Sequence, residues 1–363
     1  MKNVLIITVA PAPYKVDFYN KLSQFCNLTV VFEGEKCAWR QFNWIDYKEW
    51  RFKYVFLKEN LKRRYVDLKI CSLIDEKKYD VFIITAYYTW TGQFALYLLK
   101  SRKIEYWFET DGAFIPSKES AIKRLYKRLL IKGASKYLSP SETTDEYLIH
   151  YGAPKESIYR YPFASTFESE IVKSPLRMSD KKIVRKKYGI KENKVIIAVG
   201  QFVWRKGFDV LIKSVGQLGR PDIGCYIVGG EPTPEYLDLV DAFGAKNIHF
   251  IRFLNRNTLA EYYRASDVFV LPTREDIWGL VINEAMSNGL PIITTNKCNA
   301  GLALVDKNNG AIVPVDDVGA LKSAIERCMD EETLVSMSNE SIKKISEYSI
   351  EAMAKAHASL INN

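Results

Sequence analysis

The chain reads as an α/β protein built from two parallel-sheet domains, and three observations predict this. Short apolar runs alternate with stretches of helical spacing along the whole length, with no short internal repeat. At 363 residues the chain is long enough for two substantial cores. Between Val268 and Thr295 a strand, a loop, a helix and a second strand can be read residue by residue, as in a βαβ unit.

That last unit justifies itself in order. Val268 to Leu271 is an apolar run of the kind a buried strand needs, and it ends at Pro272. Arg274-Glu275-Asp276 forms a short charged loop. Gly279 to Asn288 has helical spacing, with Leu280, Ala285 and Met286 apolar. Gly289 can take the left-handed conformation that stops a helix, and Pro291 follows. Ile292 to Thr295 begins the next strand. A helix starting at Gly279, just past a strand's carboxyl end, directs N–H groups toward an approaching anion. Asp276 and Glu284, eight positions apart, could accept hydrogen bonds from sugar hydroxyls while the helix start takes a phosphate. A nucleotide sugar presents that mixture of groups. An ordinary βαβ unit with a solvated acidic loop fits the spacing equally well.

The segment resembles the carboxylate–seven–carboxylate signature of retaining glycosyltransferases of family 4. Glu284-Ala285-Met286 and Gly289-Leu290-Pro291 match the family's form. The first carboxylate is Asp276, with Glu275 one place out of register, so which of the two contacts the donor sugar stays open. The resemblance implies the GT-B fold, two Rossmann-like doubly wound parallel-sheet domains facing a cleft.

The totals agree with a globular α/β protein, with 47% hydrophobic and 26% charged residues. Formal net charge is +9, which favours anionic partners. Residues 1–170 hold 27 Lys and Arg against 20 Asp and Glu, and the rest hold 25 against 23, so the basic excess lies in the first half. Six scattered cysteines form no CxxC pair, and the three histidines are far apart. No zinc site and no Ser-His-Asp triad is expected, and the thiols read as reduced and cytosolic. Lys2 with Val4 to Ala10 could mimic an export signal, but a first buried strand is the better reading. No run reaches the length of a membrane span, so any membrane contact is expected at the surface, on the inner face of the cell membrane.

In the first half, Val4 to Val9 reads as a strand, Pro11 to Tyr14 as its turn and Lys15 to Phe25 as a helix. The absence of GxGxxG disfavours a dinucleotide-binding domain. Leu28 to Phe32 is a second strand. Lys36 to Tyr65 mixes Trp39, Phe42, Trp44, Tyr47, Trp50, Phe52 and Tyr54 with basic residues, either as an ordinary helix and strand or as a surface near lipid. Val81 to Thr85 is a strand with Tyr87, Tyr88 and Trp90 beyond its carboxyl end, where ligands of open α/β sheets gather. Glu105 to Phe108 is another, followed by Glu109-Thr110-Asp111-Gly112. By the resemblance, Pro13, Tyr14, Tyr87, Tyr88, Trp90, Glu109 and Asp111 are the acceptor candidates. Asp111 is the first choice for the residue between acceptor and donor, and a plain Asp-Gly turn is the alternative.

Ser117 to Lys132 is a basic amphipathic helix. Ile122, Leu125, Tyr126, Leu129 and Leu130 make one stripe, flanked by Lys118, Lys123, Arg124, Lys127, Arg128 and Lys132. The stripe could pack on the sheet, or the segment Lys118–Lys132 could lie on an anionic membrane. Ser141 is placed to cap a helix over Glu142 to His150.

In the second half, Lys194 to Val199 is a strand, and Gly200 to Ile212 turns into a helix behind Lys206-Gly207. The family carries Arg and Lys here on the leaving diphosphate. Lys206 matches, whereas Gln201 stands at the Arg position and Arg205 is the candidate to compensate. Cys225 to Val228 leads to a glycine turn at Gly230, and Phe253 follows the strand Ile248 to Phe250; both are candidate nucleotide contacts. With Glu275, Asp276, Gly279, Leu280 and Glu284 they complete the donor set, and Asn299 to Leu302 is expected to offer amides to the donor.

The resemblance therefore implies a retaining, metal-independent hexosyltransferase that needs no cofactor. Residues 1–163 would bind the acceptor, 164–347 the nucleotide-diphosphate sugar, and 348–363 would form a helix returning to the first domain. Lys206 would stabilise the leaving diphosphate, Asp276 the sugar hydroxyls and Glu284 the ribose. The acceptor would be a saccharide carried on a polyprenyl diphosphate, in cell-surface polysaccharide assembly. Two rivals are a nucleotide-sugar epimerase of the same fold and a basic nucleic-acid binder. The second leaves the motifs of the second half unexplained, so no nucleic-acid partner is expected.

Overall fold

The apolar runs become two all-parallel sheets, one in each of two units of the chain. The computed structural model describes residues 1–34, 49–58 and 66–363. Met1–Ser165 and Ser349–Asn363 form the first unit, and Thr166–Tyr348 the second.

The first unit contains β1 (Asn3–Thr8), β2 (Asn27–Phe32), β3 (Lys53–Phe56), β4 (Val81–Ile84), β5 (Trp107–Glu109), β6 (Lys136–Ser139) and β7 (Ile158–Arg160). Their order in the sheet is β3-β2-β1-β4-β5-β6-β7. In β1 every residue after Asn3 is buried, as expected of an inner parallel strand covered on both faces. Its register pairs Ile7 with Val31 on one side and Ile84 on the other. The strand order reverses between β1 and β4, and this is where a doubly wound sheet opens a crevice at its carboxyl edge.

Helix Pro13–Leu22 follows β1 and starts earlier than the sequence suggests, because proline is well tolerated at the first helical position. The last helix, Ile350–Asn362, packs against it within the same unit, with Lys21 3.1 Å from Glu351. Lys136 Nζ also donates to the Leu360 carbonyl at 3.1 Å. Of the aromatic stretch, Trp39, Phe42, Trp44 and Tyr47 lie outside the described residues. Trp50 and Phe52 stack at 5.2 Å and sit beside Phe32, so this part of the set is packing.

The amphipathic helix spans Ala121–Ile131, capped by Ser120. Most of its stripe does not pack on the sheet: Ile122 is 82% exposed and Leu129 65%, with Leu125 and Tyr126 also exposed, and only Leu130 of the stripe meets the core, beside buried Ile131. Polar tethers hold the rest of the helix. Lys100 Nζ donates to the Leu130 carbonyl at 3.0 Å, Tyr126 OH to Gln93 at 2.6 Å, and Glu119 takes Tyr151 OH at 2.6 Å and pairs with Lys127 at 3.3 Å.

The second unit contains β8 (Lys194–Val199), β9 (Ile223–Val228), β10 (Ile248–Ile251), β11 (Val268–Leu271), β12 (Ile292–Thr295) and β13 (Gly310–Val313), in the order β10-β9-β8-β11-β12-β13. Its switch point lies between β8 and β11. Helix Phe208–Leu218 runs between two left-handed glycines, Gly207 and Gly219, and buries Phe208, Leu211, Ile212 and Val215 on the sheet. Asp267, fully buried before β11, is matched by Arg185 at 2.7 Å, Lys181 at 2.9 Å and the Val195 amide at 2.8 Å. That satisfied charge fastens helix Met178–Tyr188 to the sheet.

Candidate functional site

At the switch point of the second unit the loops after β8 and β11 meet backbone to backbone. Lys206 ends a short turn, Trp204–Lys206, and Gly207 follows at φ 68°. A Cβ on Gly207 would lie 1.9 Å from the Pro272 carbonyl oxygen, so only glycine lets the two loops approach this closely. Thr273 Oγ1 donates to the Arg205 carbonyl at 2.8 Å and the Arg274 amide to the same oxygen at 2.7 Å. The Arg274 guanidinium stacks on the Trp204 ring at 4.7 Å, donates to the Trp204 carbonyl at 2.6 Å, and pairs with Asp209 and Asp316, each at 2.7 Å.

This clamp delivers the Lys206 ammonium to Asp276, with Nζ 2.5 Å from Oδ2 and both side chains nearly covered. Arg205 lies 4.0 Å from the same oxygen. Glu275 points into solvent, and its carbonyl accepts from Thr273 at 3.1 Å. Successive residues of an extended loop face opposite ways, so of the two acids Asp276 turns inward. The segment after β12 holds it there. The Asp276 amide donates to the Lys297 carbonyl at 2.8 Å, and the Ala300 amide to the Trp278 carbonyl at 2.8 Å. The Asn299 amide reaches the Asp276 carbonyl at 3.3 Å. The amides of Asn299 and Ala300, expected to serve the donor, are therefore occupied in holding the loop. Beneath it Cys298 donates its thiol proton to the Trp278 carbonyl at 3.0 Å; burial, then the Asp276 charge, pushes that thiol up to about 12.

Gly279 (φ 101°) starts helix Leu280–Ser287, and a Cβ there would stand 2.7 Å from Cys298 Sγ. The first in-helix bond runs from the Ile282 amide to the Gly279 carbonyl, so the amides of Leu280 and Val281 lie ahead of it. Half-buried Glu284, about a turn further on, accepts from Tyr263 OH at 3.2 Å. Burial, then Glu284, raises that phenol well above its ordinary range, so it stays a donor. Gln201 is exposed on the loop after β8. Gly230 follows β9 with open space around it, and half-exposed Phe253 follows β10, all on the same carboxyl edge.

The clamp predicts a pH-dependent effect. Burial works to raise the Asp209 carboxyl, and Arg274 more than offsets this, holding it below the usual range. A carboxyl held low in the folded state stabilises above its unfolded pKa and loses that contribution as pH falls through the lowered value. Asp209→Asn is therefore expected to cost about 1–3 kcal/mol at neutral pH. The gap between variant and wild type should close as the pH falls below about 4. Urea unfolding at several pH values measures it, and a gap that persists in acid would place the effect elsewhere.

In the first unit, Tyr14 OH donates to Asp111 Oδ2 at 3.0 Å, and Lys15 Nζ lies 3.1 Å from the same oxygen. Pro13 opens the helix that presents Tyr14 and Lys15. Tyr88 and Trp90 are exposed, and Tyr87 OH pairs with Tyr147 OH at 3.3 Å. Glu109 differs from expectation. It is buried, and its carboxylate faces His357 of the last helix at 3.6 Å, whereas Asp111 two residues on is part-exposed. Arg274 and Lys15 are the site residues that sequence reasoning missed, since neither belongs to a recognisable spacing.

Known proteins share this fold and parts of this sequence. The profile of the family glycosyl transferases group 1 matches residues 180–352. The GDP-mannose-dependent alpha-(1-6)-phosphatidylinositol monomannoside mannosyltransferase of Mycolicibacterium smegmatis is 31% identical over 153 residues, covering 39% of this chain and 40% of that protein. The lipopolysaccharide glucosyltransferase WaaG of Escherichia coli is 31% identical over 140 residues, 37% of each chain. The chain thus matches about two-fifths of the length of these curated relatives. Among solved structures, HepE of Anabaena in complex with UDP superposes with a TM-score of 0.79 at 15% identity, covering 100% of both chains. Sucrose-phosphate synthase from Thermosynechococcus elongatus gives 0.77 at 16%, covering 100% of this chain and 98% of that one. With two parallel-sheet units of this order, the chain has the GT-B fold, and its second half, residues 180–352, resembles the glycosyl transferases group 1 family.

Proposed function

We propose that the protein is a retaining hexosyltransferase that moves a sugar from a nucleotide-diphosphate sugar to a saccharide acceptor. The observation that carries this is the Lys206–Asp276 pair, clamped by Arg274 beside the helix start at Gly279. In this reading the diphosphate draws the Lys206 ammonium toward itself, and the amides of Leu280 and Val281 supply further positive potential. Asp276 is then released to accept hydrogen bonds from the sugar hydroxyls. Glu284, oriented by Tyr263, takes the ribose hydroxyls. Arg205, beside Asp276, supplies the charge that Gln201 lacks. These protein charges neutralise the leaving diphosphate without requiring a metal or cofactor. Attack from the leaving-group face retains the anomeric configuration, and Asp111 serves the acceptor. The names of the relatives, with GDP-mannose, UDP and lipopolysaccharide among them, support a nucleotide-sugar donor and a glycolipid acceptor.

A thermal-shift panel of UDP-, GDP-, ADP- and dTDP-sugars tests the donor. One nucleotide class should raise the melting temperature, and the matching sugar should stay unchanged when no acceptor is added. No shift with any of the four would overturn the reading, and conversion of the donor alone would identify an epimerase.

The acceptor is proposed to be lipid-linked and met at the inner face of the cell membrane. Among the described residues no helix is long and apolar enough to cross a membrane. The support is the exposed stripe of Ala121–Ile131 between its basic flanks. Leu125→Glu and Leu129→Glu should each weaken binding to anionic vesicles about tenfold, the loss of one buried apolar side chain. Flotation measures this, and equal binding to neutral and acidic vesicles would exclude the charge contribution.

A further inference from the structure

Each unit carries a lysine–aspartate pair at the carboxyl edge of its sheet. Lys206, Asp276 and Asp111 stand where the resemblance places site residues, but Lys15 does not. Lys15 follows β1 as Lys206 follows β8, and these two strands hold corresponding places in their sheets, one at each switch point. The correspondence is not strict, because Asp111 follows β5 rather than β4.

The first-unit pair is unsaturated in a particular way. Tyr14 OH at 3.0 Å and Lys15 Nζ at 3.1 Å both meet Asp111 at Oδ2. Among the described residues Oδ1 takes no hydrogen bond, and the Asp111 side chain is 26% exposed. An ammonium has three donors, and one of them faces Asp111. Burial works against the charge on Lys15. Asp111, followed by Tyr14 and Tyr19, more than restores it and holds the ammonium well above the ordinary lysine range. The pair therefore offers a ligand one oxygen that only accepts and N–H groups that only donate.

Charge selects the ligand class. Lysine and aspartate cancel, Glu109 adds a further negative charge, and no second cation joins the pair among the described residues as Arg205 joins Lys206 and Asp276, so a phosphate would gain no net attraction and would meet the Asp111 carboxylate. An apolar surface would strip water from both ions with nothing in return. Two adjacent hydroxyls satisfy both halves, one donating to Oδ1 and the other accepting from Nζ. We infer that Lys15 and Asp111 form a site for the vicinal diol of a neutral sugar ring, with Lys15 a specificity-determining residue. This rests on the proposed function and narrows it: the acceptor is recognised by its sugar, not by its anionic carrier.

The test uses the full chain, with methyl α-D-mannopyranoside, methyl α-D-glucopyranoside and inorganic phosphate as probes in saturation-transfer NMR titrations. At least one glycoside should bind, Lys15→Met should weaken it about tenfold or more, and Lys15→Arg should restore most of the affinity. Phosphate should not displace the glycoside. Nucleoside diphosphate binding by calorimetry reports on the second unit and should be unchanged in Lys15→Met, which also shows that the variant is folded. Undiminished glycoside binding by Lys15→Met, no glycoside binding by the wild type, or displacement by phosphate would overturn the site. Wild-type protein that binds glycoside but no nucleoside diphosphate would instead sink the donor reading and leave the diol site standing.

Discussion

Lys206→Ala is expected to lower turnover by about 10²–10³-fold, the cost of one charge-stabilising donor at a developing anion. The geometry explains why the effect should fall on turnover more than on binding. Lys206 is already paired with Asp276 at 2.5 Å, so capturing a ground-state diphosphate means giving up one anion for another. The gain grows only as negative charge builds on the leaving group. Affinity for the free nucleoside diphosphate should therefore fall by a smaller factor than turnover. Release of nucleoside diphosphate from the donor identified by thermal shift gives the rate, and calorimetry gives the affinity. Wild-type turnover in the variant would remove Lys206 from the mechanism.

Gly207→Ala should be the most damaging small substitution at the site, at about 2–4 kcal/mol of stability. Two effects combine there. The residue holds φ 68°, and a Cβ would lie 1.9 Å from the Pro272 carbonyl oxygen. Gly219, at the other end of the same helix, separates them. It holds φ 62° with nothing within 4 Å of a Cβ, so Gly219→Ala should show backbone strain alone, about 1–2 kcal/mol. The excess at Gly207 measures the contact between the two loops, and turnover should fall with it because Lys206 would lose its register. Equal destabilisation of the two variants in urea would mean that the loops give way without cost.

Much of the fold was legible because buried parallel strands leave a local trace. Val268–Leu271 and Ile292–Thr295 were readable to the residue, since an inner strand covered on both faces must be apolar throughout. The helix Glu142–His150 and its Ser141 cap were readable for a similar reason: a cap is a contact between near neighbours. The amphipathic helix was legible as a helix, but not in its surroundings. Three-and-four spacing defines an apolar face without naming what covers it, and here all of that face but Leu130 is left to solvent.

The sequence by itself determined the two parallel sheets, the glycine-started helix after β11 and the placing of Lys206 and Glu284 near strand ends, because each follows from residues adjacent along the chain. Only the tertiary structure decided that Asp276 rather than Glu275 meets Lys206, that Arg274 clamps the two loops, that Glu109 turns inward to His357 and that Lys15 joins Asp111. Each of those pairs, apart from the choice between neighbouring acids, joins residues 65 or more positions apart. Their contact is set by which strands lie side by side, and strand order leaves no mark in local spacing.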